Sequence, residues 1–274
     1  MLALSSWPVD ARRRIVGVFT DIDDTLTTDG AITADALDAL SRLQTAGLPV
    51  VAITGRPALW SEAFARSWPI DAIVAENGAV SLARQTAHTP HGEVPVGVQR
   101  RYLQDAATRQ TNFTRMRRVA QRVLHEVPGA MLSKDSPGRE TDIAIDHSEF
   151  TELPAPAIER VVAIMRSEGM HASVSSIHVN GWYGEHNKLV GAQWAVRELY
   201  GRELHNEMDH WVYVGDSTND QVMFAAFANS VGVANIRRFL PDLVNLPRYV
   251  TARERGAGFA EVAAAVLAAR GGRS

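Results

Sequence analysis

The chain contains no cysteine, which excludes disulfides, thiolate metal sites and thiol nucleophiles. It also lacks any apolar run approaching the roughly 20 residues needed to cross a bilayer. At the N-terminus the basic residues Arg12, Arg13 and Arg14 follow a very short apolar patch, the reverse of the order in a secretory signal. These absences predict a soluble, cytoplasmic protein with no membrane partner. There is no basic excess either. The 28 Lys and Arg against 31 Asp and Glu give a formal net charge of −3, so nucleic acid is not an expected partner. No solenoid-type repeat and no extended low-complexity tract is present. What is present suits a packed globular protein: 46% hydrophobic and 22% charged residues, in a length that allows one large domain or two modest ones.

Ile15–Thr20 is a β-rich apolar run that stops at Asp21-Ile22-Asp23-Asp24, three carboxylates within four positions. Thr33 is placed to N-cap a helix over Ala34–Ala46, with Leu37, Leu40 and Leu43 as its apolar stripe and Gly47 at its end. Further apolar runs at Leu48–Ile53, Asp71–Ala75 and His210–Val214 predict strands. Each ends in polar, glycine-bearing punctuation: Thr54-Gly55-Arg56-Pro57, Glu76-Asn77-Gly78 and Gly215-Asp216-Ser217-Thr218-Asn219-Asp220. Helices are expected over about Ala58–Trp68 and Lys188–Tyr200, strands at Ser230–Val233 and Tyr249–Thr251, and an Ala-rich helix at the C-terminus. Strands alternating with helices predict an α/β fold with a Rossmann-like parallel sheet, whose ligands bind at the C-terminal strand ends.

From about Ala79 the texture changes. Gln85–Gly97 reads as a loop or linker. Met116, Val119, Ala120, Val123, Leu124 and Val127 follow helical spacing; the intervening Arg115, Arg117, Arg118 and Arg122 read as a solvated outer face, with an anion-binding patch as the alternative. Thr141–Asp146 alternates as a half-exposed strand should. Ile158, Val161, Val162 and Met165 mark a second amphipathic helix, and short strands follow near His171–Ser175 and Ile177–Asn180. Strands covered by two one-sided helices predict a small α+β domain inserted into the first. The expected division is a core of residues 1–80 and 185–274 and an inserted domain of residues 81–184.

Crowded carboxylates repel one another, and a divalent cation relieves the repulsion. Mg²⁺ takes a few carboxylates and keeps positions open for phosphate oxygens. A hydroxyl with free N–H groups at a helix start, as at Thr54-Gly55, makes a phosphate cradle. Lys188 adds a point charge for a transferring group, and one carboxylate can serve as nucleophile.

Together, Asp21-Ile22-Asp23-Asp24-Thr25, Thr54, Lys188 and Gly215–Asp220 resemble, in order, the four motifs of haloacid dehalogenase (HAD) superfamily phosphatases. Thr54-Gly55-Arg56-Pro57 and Glu76-Asn77-Gly78-Ala79 further resemble the IIB, Cof-like branch, which includes sugar-phosphate, sucrose-phosphate and mannosyl-phosphoglycerate phosphatases. That branch carries an α+β cap of the C2B type between the second and third motifs, where the texture changes here. The resemblance implies a Mg²⁺-dependent phosphomonoester hydrolase that acts on a small phosphorylated metabolite, a sugar phosphate, through a phospho-aspartate. It implies Asp21 as nucleophile and metal ligand, and Asp23 as the proton-transferring residue whose carbonyl also ligates the metal. Thr54, Gly55, Arg56 and Asn219 would bind the substrate phosphate end, Lys188 would neutralise Asp21, and Asp216 and Asp220 would complete the metal site. Two positions depart from the pattern: Leu189 follows Lys188 where the branch commonly has Gly, and Asp24 fills a position often held by Gly.

The cap would read the leaving group, with Ser176, His178 and Asn180 on one strand face as candidates; the plainer alternative is that they satisfy the cap's own backbone. Lys134, Arg139 and Asp142 lie in or beside another cap segment. Two other functions share the motifs: a phosphomutase, which returns the phosphoryl group to substrate, and a catalytically idle sugar-phosphate-binding or regulatory protein. The second would have no need of both Asp21 and Asp23.

Overall fold

The computed structural model describes residues 1–89 and 92–271. The chain opens with a two-residue strand β1 (Leu2–Ala3), a short helix α1 (Val9–Arg13) and the strand β2 (Gly17–Thr20). A small hairpin, β3 (Thr27–Thr28) and β4 (Ala31–Ile32), precedes α2 (Ala34–Thr45), β5 (Val50–Ile53), α3 (Ala58–Ser67) and β6 (Ala72–Ala75). Two long strands follow, β7 (Val80–Thr89) and β8 (Gly92–Tyr102). Next come α4 (Ala106–Glu126), β9 (Met131–Leu132), β10 (Ile143–Asp146), α5 (Ala155–Ser167), β11 (His171–Val174) and β12 (His178–Trp182). The last part holds α6 (Lys188–Tyr200), β13 (Trp211–Gly215), α7 (Gln221–Ala226), β14 (Asn229–Gly232), β15 (Tyr249–Val250) and α8 (Arg255–Gly271).

Nine strands form one sheet in the order β1-β15-β14-β13-β2-β5-β6-β7-β8. All pairs from β1 to β6 are parallel. The central strands are buried along their whole length, because helices cover both faces. Leu40, Leu43, Phe259, Val262 and Val266 of α2 and α8 pack on one face. Ala192 and Val196 of α6 and Met223 and Phe224 of α7 pack on the other. Leu37, expected in the apolar stripe of α2, is 38% exposed; Ala36, Ala39, Leu40 and Leu43 form that face instead. Thr20 of β2 pairs with Val214 of β13 on one side and Ala52 of β5 on the other. The residues that follow each strand, Asp21, Thr54 and Asp216, therefore emerge along one edge of the sheet. No helix among the described residues is long and apolar enough to cross a membrane.

The segment Gln85–Gly97, expected as a loop or linker, is strand in its described part, paired antiparallel as β7 and β8 at the edge of the main sheet; residues 90 and 91 lie outside the described residues. An edge position explains the misleading composition. Edge strands tolerate proline and irregular pairing, and here the register shifts between Gln85 and Thr86, with Thr86 opposite Pro95. The textural change near Ala79 thus marks a switch from parallel to antiparallel pairing within the first sheet.

A second, wholly antiparallel sheet has the order β11-β12-β10-β9. Met116, Val119 and Val123 of α4 and Val161, Ile164 and Met165 of α5 pack against it through Ile143, Ile145 and Val179. β10, expected to be half-exposed, is buried on both faces, with Asp142 just before it 0% and Asp146 1% exposed. The reason is that Asp142 lies against the core, where Asn77 Nδ2 donates to its Oδ2 at 3.1 Å.

The turn after β6 runs through three consecutive positive φ angles: Glu76 at 49°, Asn77 at 57° and Gly78 at 109°. It presses on the start of α6. A Cβ on Gly78 would lie 2.2 Å from the Asn187 carbonyl oxygen, and one on Gly191 would lie 2.5 Å from the Gly78 Cα. Gly78→Ala combines the steric clash with an unfavourable φ, and should cost on the order of 2 kcal/mol. Urea unfolding measures this; an unchanged midpoint would show that α6 is not pinned at this turn.

Candidate active site

Four buried side chains meet at the strand ends: Asp21 at 3% exposure, Lys188 at 2%, and Asp216 and Asp220 at 0%. Lys188, the first residue of α6, donates from Nζ to Asp21 Oδ1 at 2.6 Å and to Asp220 Oδ1 at 2.7 Å. Asn187 caps this helix, its Oδ1 accepting from the Leu189 and Val190 amides, which fixes where the lysine begins its reach. Burial works against the ammonium, but Asp21 and Asp220 outweigh it and raise Lys188 above its ordinary value. Asp220 uses both oxygens. Oδ1 also accepts from the Tyr213 hydroxyl, and Oδ2 accepts from the amides of Asp216 at 2.9 Å and Ser217 at 3.1 Å.

The carboxylates of Asp21, Asp216 and Asp220 offer oxygens within 4.8 Å of one another. Burial, reinforced by Asp220 and Asp21, pushes Asp216 well above the ordinary carboxylate value. Burial likewise raises Asp21, to about 8, although Lys188 opposes the shift. Asp216 Oδ2 accepts from Asn235 Nδ2 at 3.1 Å, whereas Oδ1 is buried with no hydrogen-bond partner. An orphaned carboxylate oxygen beside a second carboxylate is the donor set of a hard divalent cation. The residues fit Mg²⁺.

Thr54 and Gly55 follow β5. Thr54 Oγ1 accepts from the Arg56 amide at 3.0 Å. The Gly55 carbonyl is held from the second sheet, by Arg139 Nη1 at 2.9 Å and Asn180 Nδ2 at 3.3 Å. Asn180 also donates to Asp142 Oδ2 at 2.9 Å, and Arg139 to Asp142 Oδ1 at 2.8 Å. The Nδ2 of Asn180, a residue expected to meet substrate, is thus engaged by Asp142 and the Gly55 carbonyl, while the residue also lines the small space beside Asp21 and Asn219. Asn219 accepts from Ser217 Oγ at 2.9 Å, and its neighbour Thr218 donates to the Val174 carbonyl of β11.

Asp23 is held by Arg56. Arg56 Nε donates to both of its carboxylate oxygens at 3.0 Å. Arg56, expected to bind substrate, is committed to three carboxylates: besides Asp23, it reaches Asp135 Oδ2 at 3.3 Å and Glu149 Oε1 at 2.8 Å. His178 Nε2 lies 2.9 Å from Glu149 Oε2. Asp24 has a left-handed φ of 55°, which accounts for a position where Gly is common, and its carboxylate pairs with Arg255 at 3.1 Å and Arg238 at 3.5 Å. Lys134 lies 3.5 Å from the ring centre of Phe150. Arg115 stacks on Tyr183, and Arg122 pairs with Glu126 and Glu168, as befits an outer helix face.

A cleft of about 620 Å³ opens beside Asp23 and Arg56, with Phe150, Ile177, Arg238 and Phe239 among its walls. Between Asp21, Asp23, Gly55, Arg56, His178 and Asn219 lies a much smaller space of about 10 Å³.

Residues 18–91 match the family of haloacid dehalogenase-like hydrolases. That segment is similar to this family, and solved structures share the fold of nearly the whole chain. A protein from Thermoplasma acidophilum superposes with a TM-score of 0.68 at 16% identity, over 92% of this chain and 98% of that one. The sucrose-phosphatase of Synechocystis, solved with sucrose and phosphate, gives 0.62 at 17% identity, over 93% and 98%. A putative HAD/COF-like hydrolase from Plasmodium vivax gives 0.62 at 14% identity, over 95% and 99%. No curated protein matches by sequence.

Several partners are absent from the motif-based expectation: Tyr213, Asn235, Asp135 and Glu149. Asn235 had a usable signal, since it lies just past the β14 strand run on the same edge as the motifs. The other three show no local pattern.

The raised Asp21 value has a consequence for stability. Folding favours its protonated form, so its contribution is whole below about pH 4 and is lost as the pH rises through about 8. Without divalent cation, the thermal midpoint should fall between about pH 5 and pH 8, and Mg²⁺ should raise it more at the higher pH. Equal responses to Mg²⁺ at both would count against a cation held by these carboxylates.

Proposed function

We propose that the protein is a Mg²⁺-dependent phosphomonoester hydrolase of small phosphorylated metabolites, sugar phosphates above all. The observation that carries this is the Asp21 carboxylate, buried at the end of β2 and held by Lys188, with Thr54-Gly55 on one side and Asp216 on the other. In the first half-reaction an Asp21 oxygen attacks phosphorus, the bond to the leaving oxygen breaks, and Asp23 supplies that oxygen's proton. In the second, Asp23 takes a proton from water, which attacks the phosphoryl group; phosphate leaves and the Asp21 carboxylate is restored. With a cation bound Asp21 would be ionised, and Lys188 neutralises charge as the phosphate dianion approaches it. Thr54 Oγ1 and the Gly55 N–H orient the phosphoryl oxygens, with Asn219 opposite. A cation held by Asp21, Asp216 and the Asp23 carbonyl would supply charge neutralisation for a loose transition state. With its acceptor positions filled by Lys188, Tyr213 and two amides, Asp220 orients its neighbours rather than ligating.

On this proposal, α4, α5 and the second sheet act as the cap, inserted between β8 and α6, and the cleft beside Asp23 receives the leaving alcohol. Its mixed walls of arginines, acids and aromatic rings suit a polyhydroxylated group with polar edges and apolar faces. The sugar-phosphate class is supported by the likeness to sucrose-phosphatase.

The purified protein with Mg²⁺ should release free phosphate from p-nitrophenyl phosphate and from members of a phosphometabolite panel, with no requirement for a bisphosphate activator. Asp21→Asn should lower turnover by at least ~10³-fold, as loss of a nucleophile does, while the circular dichroism spectrum stays unchanged. Substantial residual turnover in that variant would remove Asp21 from the nucleophile's role.

A further inference from the structure

We propose that Arg56 is a positioning residue for the proton-transferring carboxyl of Asp23, and that the cap sets it through Asp135 and Glu149, so that seating the cap and aiming Asp23 are one event. The proposal rests on the phosphatase reading above.

Arg56 belongs to the core by sequence, two residues past Thr54, yet two of its three carboxylate partners belong to the inserted segment. Its side chain is 6% exposed. Nε meets both oxygens of Asp23 at 3.0 Å and Nη2 lies 2.9 Å from Asp23 Oδ1, while Nη1 and Nη2 also reach Asp135 and Glu149 at 3.3 and 2.8 Å. The Trp60 ring centre lies 5.0 Å from the guanidinium carbon. A guanidinium is a rigid planar fork, so fixing its outer nitrogens fixes the direction of Nε and of the carboxylate it holds. The two cap acids are themselves fixed. Asp135 accepts from Arg139 Nη2 at 3.0 Å and from Ser133 Oγ at 2.6 Å. Glu149 is backed by His178 at 2.9 Å. A chain of charge-assisted contacts therefore runs from β12 of the cap to the acid at the end of β2.

The space at the reacting centre points the same way. About 10 Å³ between Asp21, Asp23, Arg56 and His178 holds at most about one water molecule, too little for a phosphoryl group. Substrate admission requires the cap to lift, and lifting carries Asp135 and Glu149 away while Asp23 remains with the core. Arg56 then keeps Asp23 and the Trp60 ring but loses two of its three carboxylate partners, and the direction in which it holds Asp23 is no longer fixed until the cap reseats over bound substrate.

Proton delivery matters most when the leaving oxygen is strongly basic, so leaving-group dependence isolates Asp23 from the rest of the site. We would measure kcat/KM with Mg²⁺ for p-nitrophenyl phosphate and for phenyl phosphate, on the wild type and on Glu149→Gln, Asp135→Asn, Arg56→Lys and Asp23→Asn. The loss should be roughly tenfold or more greater on phenyl phosphate than on p-nitrophenyl phosphate, in every variant and in the same direction as Asp23→Asn. Arg56→Lys keeps the charge but not the fork and should not rescue. Asp135 also supports Arg139, so if Asp135→Asn fails to fold, Glu149→Gln decides. Equal losses on the two esters, or none, would overturn the proposal and leave these ion pairs as packing between cap and core. Failure of the wild type to hydrolyse either ester would overturn the phosphatase reading itself, and this role with it.

Discussion

One buried ammonium organises the reactive edge of this protein. Lys188 bonds Asp21 and Asp220 at 2.6 and 2.7 Å, out of water, and the fold around it brings the three together. Parallel pairing of β2 with β13 delivers Asp21 beside Gly215 and the acids that follow it. The left-handed turn at Glu76–Gly78 and the bare surface of Gly191 let the start of α6 come close enough for the lysine to reach them. Loss of one member of such a pair strands a buried charge, at a cost of about 3–5 kcal/mol. The same constraint has a chemical side. Three carboxylates gather around one ammonium, which leaves two negative charges uncompensated when all are ionised. A divalent cation would balance them, and the orphaned Asp216 Oδ1 is an oxygen free to meet it.

The core of this arrangement was legible in the sequence because its signals are local. Strands buried on both faces read as unbroken apolar runs, and the expected β2, β5, β6 and β13 lie within about two residues of those observed. Their polar ends are contiguous motifs. Legibility failed where meaning depends on what lies across from a residue. Gln85–Gly97 carries loop composition yet extends the sheet, since an edge strand answers to one neighbour only. Asp142 and Asp146 follow the alternation of a half-exposed strand, but the face that alternation assigns to water is occupied by the core and by β10's own following turn. Arg56 sits inside a recognisable motif, and nothing near it in sequence announces partners 79 and 93 positions away.

Two charge balances therefore share one sheet edge, and they differ in what they need. Lys188 with Asp21, Asp216 and Asp220 is closed within the first sheet and its flanking helix. Arg56 and Arg139 with Asp23, Asp135, Asp142 and Glu149 is closed only when both sheets contribute. In the proposed reaction, bond formation to phosphorus would draw on the first set, and proton transfer to or from oxygen on the second. That division matches the chemistry asked of each. The phosphoryl group is common to every candidate substrate and can be met by a preformed centre. The leaving group differs from one ester to the next, and on this proposal the carboxyl that protonates it is the one whose orientation depends on the part of the chain covering that group. Premature protonation chemistry, with the cap raised and water admitted, would lack its aimed acid. On the same proposal, linking Asp23 through a single rigid guanidinium to Asp135 and Glu149 makes orientation of the acid conditional on exclusion of solvent.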